Sequence, residues 1–245
     1  MFSKMPQIGK NHCIEKKKPF TKMGEFKDST IERVFDFAYR MSFSGEGEHR
    51  DHRTGGTHNR RNGEIFANTF QGKLAECAFY NFLTAAHIEA TKPDFEVYRL
   101  GTWDDEDVNV KGKSVSIKST KAFGNLLLLE SQDYNASAVY LPNQKAYDFT
   151  FLIRMNPFCE ELMRKNRLLY SGNVDENRLH QLIQNEIWQY DIPGFISRSD
   201  LIEVIINKNI IPRGSILNGS TTMDASNYYV QSGELRPITE FINEL

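Results

Sequence analysis

The sequence predicts an α/β fold in which helices flank a mixed β-sheet. Residues 107–118 alternate polar and apolar side chains around a Lys111-Gly112 pair, a pattern typical of a tight β-hairpin. Residues 65–86 are apolar on almost every side, which indicates a helix buried on more than one face. Residues 147–155 form an almost unbroken apolar or β-branched run, as expected for a central strand covered on both faces.

The chain of 245 residues suits one α/β domain with an elaborated periphery, or one and a half domains. Residues 1–28 are lysine-rich and polar, and we expect them to form a flexible basic arm. Residues 29–245 are predicted to form a single domain. Its core covers about residues 66–155, and residues 156–245 supply peripheral helices and a C-terminal segment.

Other segments carry weaker local signals. Ser29 and Glu32 have the spacing of a capping box before a helix of about residues 30–42. A buried strand is predicted at 125–130, and a turn at 190–195. The remaining predicted elements are helices at 158–166, 175–188 and 200–208 and a strand at 227–230.

The composition excludes several classes of protein. The longest apolar runs, such as Leu126–Leu129, are far shorter than the roughly 20 residues of a spanning helix, so no membrane span is expected. Cys13, Cys77 and Cys159 have neither paired nor metal-binding spacing, which predicts a cytoplasmic location. Walker-type phosphate loops, nucleophile elbows and dinucleotide fingerprints are absent from the sequence.

Charge is segregated although the net charge is only −2, a value that argues against general polyanion binding. A run of acids is followed directly by a run of lysines. Metal-assisted phosphate chemistry needs both, because acids hold the cation and lysines meet the phosphate. The acids are Asp104, Asp105, Glu106 and Asp107, and the lysines are Lys111, Lys113, Lys118 and Lys121.

The hairpin turn sets the register of the two strands. Residue 110 then pairs with 113 and residue 108 with 115, so that Asp107 faces Ser116. Lys118 follows on the same face, because side chains two residues apart share a face of a strand. One carboxylate and one ammonium group are therefore expected at the open end of the hairpin.

This spacing resembles the PD-(D/E)XK nucleases, which carry an Asp on one strand and an acidic residue, any residue and a Lys on the next. Asp107 matches the first position and Lys118 the last, whereas Ser116 stands where the family usually has an acid. Some restriction enzymes of the family carry Ser-x-Lys and take the missing carboxylate from a helix. Asp94, which follows a proline, is a rival first acid. The resemblance covers about residues 66–155.

Glu76 and Glu130 are the candidates for the missing carboxylate. Glu76 is the single acid between Ile65 and Ala86, on a stripe of small and apolar side chains, and the resemblance implies a metal-binding Glu from this helix. The alternative is a surface pair between Glu76 and Lys73. Glu130 ends the strand predicted at 125–130.

The resemblance implies a restriction-endonuclease-like fold and a Mg²⁺-dependent endonuclease acting on double-stranded DNA, of the type II restriction class. Asp107, Glu76 and the main-chain carbonyl of Ile117 would hold the metal, and Lys118 would orient or activate water. A symmetric DNA site implies a homodimer. The alternatives are a structure-specific repair or recombination nuclease and a catalytically inactive DNA-binding protein, for which Ser116 is the best argument.

Residues 45–61 are rich in glycine, histidine and arginine and predict a long polar loop. We expect its arginines to contact DNA phosphates or guanine edges. The alternatives are a disordered basic loop and a zinc site formed by the loop's histidines, which lack a cysteine partner. The candidate DNA-binding residues are Arg50, Arg53, Arg60 and Arg61.

Overall fold

The computed structural model describes residues 2–44, 60–96 and 108–245, which form a mixed α/β protein. The predictions for Asp107, Arg50 and Arg53 lie outside the described residues, as do those for the acids at 104–106 and for the histidines at 49, 52 and 58. The helices are α1 Asp28–Ser42, α2 Asn62–Ala85, α3 Cys159–Lys165, α4 Glu176–Gln184, α5 Arg198–Ile206 and α6 Ile238–Asn243.

Within the described residues, the strands form three sheets. They are β1 Gln7–Ile8, β2 Asn11–His12, β3 Gly24–Glu25, β4 Val108–Val110, β5 Lys113–Lys121, β6 Leu126–Glu130, β7 Phe149–Asn156, β8 Gln189–Ser197, β9 Ile210–Ile211, β10 Ile216–Leu217, β11 Thr221–Thr222 and β12 Asn227–Gln231. The largest sheet has the order β3-β8-β7-β5-β4, and smaller sheets have the orders β6-β12-β9 and β1-β2-β10-β11.

The predicted hairpin is confirmed in its described part. Strands β4 and β5 are antiparallel, and Val108 pairs with Val115 and Val110 with Lys113. Lys111 and Gly112 both have positive φ, of 49° and 82°, as the favoured two-residue turn requires. The predicted pairing of Asp107 with Ser116 would be the next step of this ladder, and it lies outside the described residues.

The largest sheet, called the central sheet below, is covered on both faces. On one face Val115 of β5 and Phe151 of β7 belong to the main core, where Phe79 of α2 packs against Phe151 with ring centroids 4.6 Å apart. On the other face Leu152 packs with Leu127 of β6 and with residues of β12 and α5. The prediction of a central strand at 147–155 is confirmed, because β7 lies between β5 and β8.

The predicted turn at 190–195 is wrong, because these residues lie within β8. The pairing of β8 with β7 is irregular between Leu152 and Arg154, opposite the segment that contains Pro193 and Gly194. Proline has no N–H group to donate to the ladder, so it is tolerated where the register is irregular. Gly194 adopts a φ of 148°, which other residues rarely reach. A Pro-Gly pair therefore marks a break in the ladder, and the strand continues past it.

The capping box expected at Ser29 is also wrong. Helix α1 begins at Asp28 after an N-cap at Lys27 that makes no side-chain cap hydrogen bond, so Ser29 lies inside the first turn. The helices predicted at 65–86 and 200–208 are confirmed as α2 and α5, with boundaries shifted by two or three residues at most. Helix ends are commonly ambiguous by this amount.

Residues 2–27 are packed onto the body of the protein, which differs from the flexible basic arm expected for residues 1–28. The Ser3 N–H donates to Glu234 at 2.9 Å, and the Met5 N–H donates to the Tyr229 hydroxyl at 2.8 Å. Met5 itself is buried, at 5% exposure. A few apolar side chains and backbone hydrogen bonds therefore hold this lysine-rich segment, a combination that composition alone does not reveal.

Candidate functional site

Lys118 lies on β5, in a stripe of polar side chains that faces away from helix α2. Val115 and Ile117 point to the main core on the α2 face, so the alternate positions Ser114, Ser116 and Lys118 face the opposite side. Lys118 pairs in register with Leu152, which belongs to the core on that side. The alternation of β5 thus separates the apolar face of the strand from its polar face.

A cavity of about 220 Å³ opens over Lys118. Strand β6 ends at Glu130, and the 3₁₀ turn Ser131–Asp133 follows at once and brings a second acid to the same place. Two tyrosines complete the polar lining. The cavity is lined by Lys118, Leu128, Leu129, Glu130, Asp133, Tyr134 and Tyr140. A lysine and two carboxylate side chains therefore share one cavity on the face of the central sheet that packs against β6.

The rings of Tyr140 and Tyr134 lie beside Lys118. The Lys118 ammonium nitrogen lies 5.7 Å from the centroid of the Tyr140 ring, within the range of a cation–π contact. Tyr134 and Tyr140 pack with ring centroids 5.3 Å apart and are joined by a β-bridge. These two rings restrict the conformations of the Lys118 side chain and line one side of the cavity.

Ser116 is the polar neighbour of Lys118 on this face, and it is 1% exposed. Its Oγ has no hydrogen-bond partner among the described residues. By contrast, the Ser114 hydroxyl donates to the Ala146 carbonyl at 3.2 Å and lies 3.2 Å from an Asp148 carboxylate oxygen. A buried hydroxyl without a partner costs about 1–3 kcal/mol, so Ser116 is a polar atom whose partner the described residues do not supply.

Glu76 lies in a different environment from Lys118. Its carboxylate accepts a hydrogen bond from Lys73 at 2.6 Å, and the two side chains are 19% and 9% exposed. The Lys73 ammonium lies 5.1 Å from the Phe37 ring centroid and 5.8 Å from that of Phe95. The Lys73 pair considered from the sequence is therefore present, but it is mostly buried. Among the described residues that line the Lys118 cavity, Glu76 is absent.

The other sequence candidates occupy separate positions. The Asp94 carboxylate accepts the Glu96 N–H at 2.9 Å and so closes a local turn. Arg61 is the N-cap of α2, where its backbone N–H donates to Glu64 at 2.9 Å and its side chain stays exposed. Arg60 precedes it and is half-buried. Ile117 pairs in register with Phe151 in the middle of the central sheet.

Three residues of the cavity had no sequence signal. Asp133, Tyr134 and Tyr140 follow β6 in a stretch of turns, where no periodicity marks which side chains face inward. Glu130 was a candidate, but its orientation depended on the turn that follows β6. The spacing of Glu130 and Asp133, three residues apart at the end of an apolar strand, is the sequence feature that could have indicated this pair of acids.

The donor chemistry of the cavity suits a hard cation. Mg²⁺ prefers oxygen ligands, keeps several waters and commonly takes one or two carboxylates from a protein. Glu130 and Asp133 offer that number in one cavity. Within residues 2–44, 60–96 and 108–245, no group of three or more His, Cys, Asp or Glu side chains is arranged to hold a metal ion.

Two further findings extend beyond this cavity. In the described part of the chain, none of the helices has both the length and the apolar character that a membrane crossing demands. Comparison with protein-family models, curated proteins and solved structures finds no match to this chain.

Proposed function

We propose that the protein is a Mg²⁺-dependent endonuclease that hydrolyses phosphodiester bonds of double-stranded DNA in the manner of type II restriction enzymes, on a restriction-endonuclease-like fold. The observation that carries the proposal is the cavity in which Lys118 meets Glu130 and Asp133. This cavity adjoins the β4-β5 hairpin, whose register agrees with the one predicted from the sequence.

The proposed roles follow from charge. The ammonium group of Lys118 binds a non-bridging phosphate oxygen, counters the negative charge that develops there and orients the attacking water. The carboxylates hold the cation, and Mg²⁺ when bound supplies Lewis-acid polarisation of the phosphate. Asp107 and the main-chain carbonyl of Ile117 complete the proposed ligand set, as the resemblance implies.

Glu130 is the better-supported choice for the missing carboxylate. It lines the same cavity as Lys118, whereas Glu76 is bound to Lys73 next to Phe37 and Phe95. If Glu76 bound a metal instead, it would leave the mostly buried Lys73 ammonium without its counter-charge, and breaking a buried ion pair in this way destabilises the fold. We therefore rank Glu130 before Glu76, which reverses the order taken from the sequence.

DNA binding is proposed for the arginines that precede α2. Arg61 presents an exposed side chain and caps α2 through its backbone, whose N–H donates to Glu64 and whose carbonyl oxygen accepts from the Glu64 and Ile65 N–H groups, so its guanidinium is available to a phosphate. Arg50, Arg53 and Arg60 belong to the same proposed contact. A homodimer matches the two-fold symmetry of a palindromic site. A cytoplasmic location remains part of the proposal.

A DNA-binding protein without catalysis is the second candidate. Ser116 favours it, because the position where the related nucleases have an acid is a buried hydroxyl here. A nuclease that reads DNA structure in repair or recombination is a further alternative.

Incubation of the protein with unmethylated phage DNA and Mg²⁺ separates these functions. A type II enzyme yields discrete fragments, a structure-specific nuclease cuts branched duplexes in preference to linear ones, and a binding protein cuts neither. The Lys118→Ala variant should lower the cleavage rate by a factor on the order of a hundred, because a charged stabiliser contributes several kcal/mol in the transition state. Lys165→Ala, an exposed lysine of α3 to which no role in the site is assigned, is the control. Equal rates in both variants would contradict the proposed role of Lys118.

A further inference from the structure

A second cavity, of about 420 Å³, lies between α1, α2 and the segment that leads to β4. It is remote in sequence from β6 and shares no lining residue with the Lys118 cavity. Its volume falls in the range of about 300–1,000 Å³ that is typical of small-molecule sites. It is lined by Ser29, Thr30, Arg33, Cys77, Tyr80, Asn81, Lys92, Pro93 and Phe95.

The charge of this cavity is positive. Arg33 and Lys92 contribute two cations, and no Asp or Glu is among its described lining residues. No carboxylate of the described residues forms an ion pair with either cation. Two cations without a paired acid around one concave surface attract an anion, and a phosphate group suits both.

Arg33 is held in a defined position. Its guanidinium carbon lies 4.1 Å from the centroid of the Phe95 ring, so the guanidinium rests on the ring face. The Phe95 ring is itself fixed by an edge contact with Phe37, with centroids 5.9 Å apart. A stacked guanidinium keeps its N–H edge free to donate two parallel hydrogen bonds to phosphate oxygens. The hydroxyls of Ser29 and Thr30 line the same cavity.

The rest of the lining is uncharged and partly aromatic. Tyr80 supplies a half-exposed ring, and Pro93 supplies an apolar surface. Cys77 is 6% exposed, and burial raises the pKa of its thiol to about 12, so the thiol is neutral. A ligand that satisfies both parts of the cavity carries a phosphate group on an aromatic ring system.

We propose that this cavity binds a nucleoside 5′-monophosphate unit, with its phosphate on Arg33 and Lys92 and its base against Tyr80. The unit is either a free nucleotide or the 5′-terminal nucleotide of a DNA strand, because both present the same chemistry. The proposal does not depend on the cleavage site, and binding is measured without Mg²⁺ so that hydrolysis plays no part.

Calorimetric titration of the full chain tests the proposal with four small probes: deoxyadenosine monophosphate, deoxyadenosine, ribose 5-phosphate and inorganic phosphate. The nucleotide should bind at least about tenfold more tightly than any of the other three, since each of them lacks one recognised part. A blunt duplex with 5′-phosphates, compared with the same duplex carrying 5′-hydroxyls, distinguishes a DNA end from a free nucleotide.

Variants of exposed residues keep the test independent of folding. Arg33→Met and Lys92→Met should each weaken nucleotide binding about tenfold or more, whereas Arg178→Met and Lys165→Met, exposed cations outside the cavity, should leave it unchanged. Tyr80→Ala should weaken binding of the nucleotide but not of ribose 5-phosphate. Equal affinity of nucleotide and inorganic phosphate, or unchanged affinity in the Arg33 and Lys92 variants, would overturn the proposal. So would a lack of binding by both the nucleotide and the phosphorylated duplex.

Discussion

Arg154 and Asp191 form a bidentate ion pair between the neighbouring strands β7 and β8. Arg154 Nε and Nη2 lie 2.8 and 2.5 Å from the two carboxylate oxygens, and the side chains are 1% and 6% exposed. The same guanidinium donates to the carbonyl oxygens of Lys18 and Pro19, at 2.7 and 2.9 Å. One arginine therefore joins the central sheet to the segment that precedes α1.

Loss of one partner of this pair should destabilise the fold. Asp191→Asn leaves the buried guanidinium without its counter-charge, and we expect the free energy of unfolding to fall by about 3–5 kcal/mol, as for other broken buried pairs. Urea unfolding followed by circular dichroism measures the change. Glu240→Gln, which removes a carboxylate from an exposed contact with Arg236, should cost about 1 kcal/mol or less. Similar losses in both variants would show that burial does not set the strength of the Arg154 pair.

Single-turnover cleavage of one duplex should distinguish the roles of the two candidate acids, Glu130 and Glu76. Glu130→Gln should reduce the Mg²⁺-dependent rate by a factor on the order of a hundred, because it removes a carboxylate from the Lys118 cavity. Glu76→Gln should act mainly on stability, because it leaves Lys73 without its carboxylate partner. Glu176→Gln, an exposed acid of α4, is the control for both. A normal rate in Glu130→Gln together with a lost rate in Glu76→Gln would restore the order taken from the sequence.

The first acid of the motif can be tested in the same assay. Asp107→Asn should lower the rate on the order of a hundredfold, whereas Asp94→Asn should be close to normal. The Asp94 side chain accepts a hydrogen bond from the Glu96 N–H, and an asparagine side-chain oxygen accepts it equally well. A lost rate in Asp94→Asn, with normal cutting by Asp107→Asn, would transfer the role to Asp94.

Arg61 should contribute to DNA affinity without contributing to the fold. Arg61→Ala keeps the backbone N–H that donates to Glu64, so the helical circular dichroism signal should be unchanged. If the guanidinium meets a phosphate, binding should weaken for all sequences, and the slope of log affinity against log salt concentration should fall by about 1. Arg178→Ala, an exposed arginine in the first turn of α4, should have the wild-type slope. An identical slope in Arg61→Ala would exclude the contact.

The cysteines should differ in alkylation. Burial raises the pKa of the Cys77 thiol to about 12 and also raises the pKa of the Cys159 thiol, so at pH 8 both are thiols and react poorly. Cys13 is partly exposed, and it should be the first to react with iodoacetamide. Mass spectrometry should find one modification in the native protein and three in urea. Three modifications at equal rates in the native state would contradict this burial.

Local chemistry explains what the sequence predicted well. The Lys111-Gly112 turn determines the register of β4 and β5 by itself, because both residues adopt positive φ. Pro193 and Gly194 misled the prediction, because they accompany a register irregularity that becomes visible only when β7 lies beside β8. The burial of Met5 likewise depends on contacts with residues more than two hundred positions away.

The candidate site was predicted only in part for the same reason. Lys118 was found because its neighbours in sequence are also its neighbours on the hairpin. Asp133 and Tyr140 reach the cavity through turns after β6, and their approach depends on the packing of β6 against β12. Glu76 was ranked first because the sequence does not show that its pair with Lys73 is mostly buried, with the Lys73 ammonium next to Phe37 and Phe95.

The hydrogen bonds of residues 3–16 have a consequence for synthesis of the chain. Ser3 meets Glu234 across 231 positions, and the Glu15 N–H donates to the side-chain oxygen of Gln231 across 216. The ribosome synthesises Gln231 and Glu234 long after residues 3–16, so this segment lacks these hydrogen-bond partners for most of the time that synthesis takes. The closure of so long a loop is slow and cannot be completed on a truncated nascent chain. The chain therefore gains its full structure only after residue 234 has left the ribosome.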